Sequence, residues 1–136
     1  KKKRIRQMLK KVQHDLAYNP PKKFKGSILD GRDIGTVIMP DAHVKVYLTA
    51  SLNVRAIRRY KEYKKMGIKT TLGRVKSDIK KRDYEDTHRK ISSLKPAKDA
   101  VLLDSSFYNT KAAFVEIDKV IRNEIKRLNA TKHKSL

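Results

Sequence analysis

Residues 99–104 read DAVLLD, four consecutive apolar positions held between two aspartates. A run this short, with charges at both ends, fits a strand buried on both faces rather than a helix, which needs about ten residues or more. Strands of that kind belong to parallel sheets, whose faces are covered by crossover helices. Two further runs fit the same sheet: residues 27–29 (SIL), and residues 44–48 (VKVYL), which alternate and are rich in β-branched side chains. The spacing around them predicts helices. Ile5, Met8/Leu9, Val12 and Leu16 recur at three- and four-residue steps, predicting a helix over 4–18 that Pro20-Pro21 ends. Ser51 or Asn53 caps a helix over 54–66, closed by Met66-Gly67, and Thr70 or Thr71 opens another that runs to about Arg89. Thr110 caps a last helix with Phe114, Ile117, Ile121, Ile125 and Leu128 on one face, and the tail from Asn129 reads as frayed. The expected class is α/β, with a three-stranded parallel sheet flanked by helices.

Charge narrows the partners. Lys plus Arg is 35 and Asp plus Glu 14, a net charge of +21 over 136 residues. Such an excess points to phosphates, nucleic acid or an acidic membrane surface, or to a lysine-rich solvated surface and nothing more. Part of it is local, because residues 1–25 hold ten Lys/Arg against Asp15 alone. The chain has no cysteine, which excludes a thiol nucleophile, a disulfide and a Cys-ligated metal. No apolar run approaches the roughly 18 residues of a membrane span, and KKKRIRQ is not followed by the apolar segment of a signal peptide. Without an initiator Met, residue 1 is not expected to be the natural N-terminus.

Open parallel sheets bind ligands beyond the carboxyl ends of their strands. DGRDIG (30–35) is expected to leave the first strand at such an end, with Thr49-Ala50-Ser51 and Asp104-Ser105-Ser106 leaving the other two. Gly31 and Gly35 let the backbone approach a ligand, Arg32 offers a planar donor fork for phosphate, and Asp33 orients that fork or accepts from a base or ribose. Taken alone, the stretch reads equally as a surface turn with a local Arg–Asp pair. The helix after Thr71 adds weight. Leu72, Val75 and Ile79 form its apolar stripe, and the same stripe continues as Arg82, Asp86 and Arg89. Charges on an inward stripe need partners or a polar cleft. Two arginines aligned by one carboxylate suit a phosphorylated ligand, and an internal ion-pair network is the alternative. Arg55, Arg58 and Arg59 cluster on the preceding helix and either surround an anion or are paired internally, Arg58 with Glu62 four residues on. KKMGIKTT (64–71) between the two helices is a candidate flap over phosphates or an ordinary connection. The four histidines have no ligand spacing, and no GxSxG or RNA-binding signature occurs.

Together these residues resemble the bacterial cytidylate kinases, nucleoside monophosphate kinases of the P-loop superfamily. The resemblance rests on DGRDIGTVIMPDA (30–42), VKVYLTAS (44–51), RAIRRYKE (55–62), IKKRDYEDTHR (79–89), AKDAVLLDSS (97–106) and IRQMLKKVQ (5–13), in order along nearly the whole chain. It implies transfer of the ATP γ-phosphoryl group to CMP or dCMP with Mg²⁺, in a cytoplasmic monomer with no membrane or specific nucleic-acid partner. By position, Arg6, Arg82 and Arg89 grip the CMP phosphate, and Asp33 and Asp86 hold the nucleoside. Arg32 sits by the transferred phosphoryl, and Arg55, Arg58 and Arg59 lie on the ATP side, near a lid-like segment at about 60–75. Two departures stand out. Ser93-Leu94 replaces the family's Pro-Leu, and nothing matches the Gly-rich GxxxxGK[ST] loop. The N-terminal P-loop strand and the inserted CMP-binding domain are therefore expected to lie outside this chain. The 136 residues then form the C-terminal part of the kinase core, lack the central strand of its sheet and are inactive alone. No residue here is assigned as a metal ligand, because Mg²⁺ would be held by ATP and the P-loop. The competing expectations are a basic nucleic-acid-binding protein and a non-catalytic relative.

Overall fold

A computed structural model describes residues 2–88 and 94–134. Helix α1 (Lys2–Tyr18) leads to an irregular segment that closes into one π-helical turn (Ile34–Ile38). Strand β1 (Val46–Thr49), helices α2 (Leu52–Lys65) and α3 (Leu72–Thr87), strand β2 (Val101–Asp104) and helix α4 (Thr110–Lys134) follow. The two strands pair in parallel, with Val46 opposite Val101 and Thr49 opposite Asp104. Helices α2 and α3 form the crossover and pack against each other, and α1 meets the π turn.

Local chemistry explains the boundaries. The Ser51 hydroxyl accepts from the Val54 N–H (3.3 Å) and the Thr71 hydroxyl from the Arg74 N–H (3.2 Å), so each caps its helix. Helix α2 ends in a Schellman motif. Gly67 takes φ +72°, its N–H donates to the Lys64 carbonyl, and the Ile68 N–H donates to the Tyr63 carbonyl. At α4 the cap is Asn109 rather than Thr110. Its Oδ1 accepts from the Ala112 N–H at 2.9 Å, and asparagine is the stronger capping residue. The tail expected to fray stays helical to Lys134, since no Gly or Pro interrupts it.

The sheet is smaller than expected. Residues 27–29 form no strand, and Ile28 is 96% exposed. A strand needs a neighbour for its backbone groups, and β1 has a partner only in β2 among the described residues. DGRDIG accordingly leaves no strand. It runs into the π turn, whose Gly35 lies against Lys45 and Ala97, the residues leading into the two strands. Strand β1 starts two residues later than its alternation suggested, and β2 is not buried on both faces, Leu102 being 64% exposed.

Burial is sparse. Ala17, Ile38, Ala50, Ala56 and Val75 are the buried apolar residues among those described, while Ile5, Met8, Leu9, Val12 and Leu16, the apolar stripe of α1, stay more than half exposed. The surface totals 11767 Å², against about 7,300 Å² for a compact monomer of this mass. The apolar period of α1 is clear, but nothing among the described residues covers the stripe. No helix among the described residues is long and apolar enough to cross a membrane.

Candidate functional site

Helix α3 and the loop before the π turn meet at one carboxylate. Asp86, in the last turn of α3, is buried at 4% exposure. Arg32, 54 residues earlier, donates from Nη1 to its Oδ1. Arg82, one helical turn before Asp86, brings Nε to 4.0 Å from Oδ2 while its side chain stays 70% exposed. Arg32 and Arg82, with Asp78, Lys81 and Glu85, line one concave surface. The carboxylate bonds Arg32 directly and draws the exposed Arg82 guanidinium to 4.0 Å, so both lie beside one anion. Planar N–H forks so placed match the oxygen geometry of a phosphate.

The inward stripe of α3 differs from the expected one. Val75 and Asp86 are buried, but Arg82 lies at the margin and Leu72 is 42% exposed. The helical period of 3.6 places Asp83 rather than Arg82 toward α2, where it accepts from Arg55 Nη1 at 2.9 Å. The margin position is what leaves the Arg82 guanidinium accessible. Asp33 opens the π turn, its carbonyl accepting from the Val37 N–H (2.8 Å), while its half-buried carboxylate makes no capping bond.

The Arg55, Arg58 and Arg59 cluster is dispersed among different acceptors. Arg55 also donates from Nε to the Ala50 carbonyl at 2.8 Å. Arg58 donates to Ser105 Oγ (3.2 Å) and to the carbonyls of Ser105 (2.6 Å) and Tyr108 (2.8 Å). Glu62 pairs with Arg59, not with Arg58, at 2.8 Å. That contact, after one from Tyr63, raises the Arg59 pKa further above its ordinary value. Arg58 thus fixes the turn after β2, where Ser106 donates to Asp104 Oδ1 and lowers the Asp104 pKa.

Four polar residues at the base of the π turn escaped the sequence reading. Lys45, at the entry to β1, is buried at 9% exposure and donates from Nζ to the Pro40 carbonyl and to Asp99 Oδ2. The Tyr18 hydroxyl, at the end of α1, donates to Asp41. Tyr18 lowers the Asp41 pKa, Lys45 lowers that of Asp99, and the same bond to Asp41 raises the Tyr18 pKa. Alternation within VKVYL places Lys45 opposite in sense to Val44 and Val46, which reads as a solvent-facing lysine. Only the partners at Pro40 and Asp99 show otherwise. Arg6 holds a helical position on α1, and Arg89 lies outside the described residues. Among the described residues, no three His, Asp or Glu side chains converge as a metal site.

The fold and site define a mixed helical and parallel-sheet protein with arginines gathered on a buried carboxylate. Comparison with known proteins gives the family. The family model described as cytidylate kinase matches residues 1–126. Proteins named cytidylate kinase are 44% identical over 123 residues in Streptococcus mutans, 40% over 122 in Thermosipho melanesiensis and 42% over 125 in Mesorhizobium japonicum. These alignments cover 90%, 90% and 92% of this chain and 52%, 54% and 56% of the relatives. The chain therefore spans about half the length of the curated relatives it matches, and it belongs to the cytidylate kinase family.

Proposed function

We propose that this chain is the C-terminal part of the core domain of a nucleoside monophosphate kinase of P-loop type, which transfers the γ-phosphoryl group of ATP to CMP or dCMP. The observation that carries the reading is the convergence on the buried Asp86 of Arg32, 54 residues earlier in the chain, and of Arg82, one turn earlier on the same helix. In this reading Arg6, Arg82 and Arg89 hold the CMP phosphate, and Asp33 and Asp86 face the nucleoside. A phosphate oxygen of CMP attacks the γ-phosphorus, the bond to the β–γ bridging oxygen breaks, and CDP and ADP result. Arg32 stands beside the moving group and stabilises charge on its equatorial oxygens. Chemistry of this kind asks for positioning and positive charge rather than a covalent group from the protein.

Arg55 and Arg58 are already committed to protein acceptors, so their contribution on the ATP side is to fix the frame, Arg55 tying α2 to α3 and Arg58 tying α2 to the turn after β2. Arg59 and the lysines of residues 64–71 supply the lid. Mg²⁺, arriving with ATP, would neutralise charge on its phosphates. The described residues offer no cluster to hold it, and no step here is routed through it. The P-loop strand, its phosphate-binding loop and the CMP-binding insertion are placed in the part of the protein beyond this chain. The surface of 11767 Å² and the uncovered α1 stripe support that placement. We assign the whole protein to the cytoplasm, as a monomer.

ADP release by the full-length protein with CMP, dCMP and UMP tests the reading. Turnover with CMP and dCMP, abolished in Arg82→Ala and Arg89→Ala, is expected, and the 136 residues alone should give none. Absence of CMP turnover in the full-length protein overturns it.

A further inference from the structure

We infer that Lys45 is a positioning residue that sets the placement of the Arg32–Asp33 turn, an inference that rests on the kinase reading above. A buried ammonium is costly to desolvate and persists only where acceptors surround it. Lys45 has two, the Pro40 carbonyl behind the π turn and Asp99 ahead of β2, so one side chain ties the exit of the turn to both strand entries. Its stem does a second job. A Cβ at Gly35, inside the π turn, would sit 3.3 Å from Lys45 Cδ and 3.7 Å from Ala97 Cβ, so the turn rests directly on this stem. Asp41, next to Pro40, accepts from Tyr18 and so adds α1, the helix that carries Arg6, to the same network. The two hydrogen bonds of Lys45 go to Pro40 and Asp99 rather than to Arg32. Lys45 holds the floor on which the turn bearing Arg32 and Asp33 is built, and Asp86 holds Arg32 from the other side.

The role separates from general stabilisation in two ways. Arg32 is assigned to the moving phosphoryl, and of the groups assigned to CMP only Asp33 is on the turn, while Arg82, Asp86 and Arg89 are not. Displacing the turn should therefore lower kcat more than it changes the KM for CMP. In the full-length protein, Lys45→Met should lower kcat by about 10- to 100-fold, as ångström-scale misplacement of a catalytic group does, with the KM for CMP changed by less than about threefold. Lys45→Arg, which keeps a cation at the end of the stem, should recover part of kcat. Asp99→Asn should shift kcat in the same direction by less, since the Pro40 bond survives, and should add little to Lys45→Met. Amide ¹H–¹⁵N spectra of Lys45→Met, taken without nucleotide, should show shifts in residues 31–38 and leave those of the α2–α3 hairpin in place. Wild-type kcat together with unmoved amides in this variant overturns the inference. So does an equal fall of kcat and rise of KM with amide shifts spread over the whole molecule. If Lys45→Met fails to fold, Lys45→Arg and Asp99→Asn decide on the same readouts. Should the wild-type protein show no CMP turnover, the kinase reading fails, while the spectra still decide whether Lys45 places the turn.

Discussion

Replacing Asp86 with Asn keeps the side chain's size and one acceptor oxygen but removes the charge that holds Arg32 and Arg82. The Asp86 side chain is 5% exposed, that of Arg32 31% and that of Arg82 70%. A hydrogen bond to a charged group contributes about 1.5–3 kcal/mol, and an exposed ion pair about 0–1 kcal/mol. Arg32, with nearly a third of its side chain in water, falls between these limits, and Arg82 at 4.0 Å falls in the exposed class. We therefore expect Asp86→Asn to cost about 2 kcal/mol in the absence of nucleotide. With a urea dependence of about 2 kcal/mol per molar, that moves the unfolding midpoint down by about 1 M. A double-mutant cycle with Arg32→Met isolates the pair, and its coupling energy should be about 1–2 kcal/mol. Calorimetric titration of CMP into each variant then shows whether the same carboxylate organises the ligand site, with at least a tenfold loss expected for Asp86→Asn. A coupling energy within about 0.3 kcal/mol of zero, the additivity of unconnected sites, would refute the argument that Asp86 holds Arg32 in place.

Other outcomes follow from particular contacts. Gly67→Ala should destabilise by about 1–2 kcal/mol because φ is +72°. Gly73→Ala, where an added Cβ meets nothing within 4 Å inside α3, should stabilise by about 0.5 kcal/mol, and thermal melts of the two variants should move in opposite directions. Arg58→Met removes three acceptors' partner and should cost about 2–3 kcal/mol, with Arg58→Lys recovering little because only the planar fork spans Ser105 and Tyr108. Asp41 and Asp99 have lowered pKa values, so their contribution is complete above the unfolded carboxylate value of about 3.9 and is lost as pH falls through the lower folded values. Tyr18 has a raised pKa, so its contribution is complete below about pH 10 and is lost as pH rises through the folded value. Melting temperature should accordingly plateau at neutral pH, and Asp99→Asn should flatten the acid limb.

Short-range signals carried most of what the sequence made legible. The caps, narrowed to Ser51 or Asn53 and to Thr70 or Thr71, the stop at Met66-Gly67 and the helical period of α1 need only neighbouring residues; the structure selects Ser51 and Thr71 and keeps the other two. Reading Thr110 as a cap passed over the asparagine before it. The tail from Asn129 reads as frayed, yet the helix continues to Lys134, with no Gly or Pro among those residues. Residues 27–29 illustrate a different limit. Three residues cannot show whether a neighbouring strand exists, and β1 has no second partner among the described residues. DGRDIG and the Arg82–Asp86 pair are segments that the structure brings together, yet periodicity could not say which of Arg82 and Asp83 turns toward α2. Lys45, Asp99 and Asp41 stayed hidden because their partners lie across the fold, and a lysine within an alternating strand reads as exposed.

One measurement bears most directly on the central claim that Arg32, Arg82 and Asp86 frame a nucleotide phosphate. CMP-dependent ADP release by the full-length protein should persist between about 50 and 200 mM salt, a range over which binding through many backbone phosphates weakens by orders of magnitude. It should be lost in Arg82→Ala. No CMP-dependent release at any salt concentration, or release that is unchanged in Arg82→Ala, would contradict the claim.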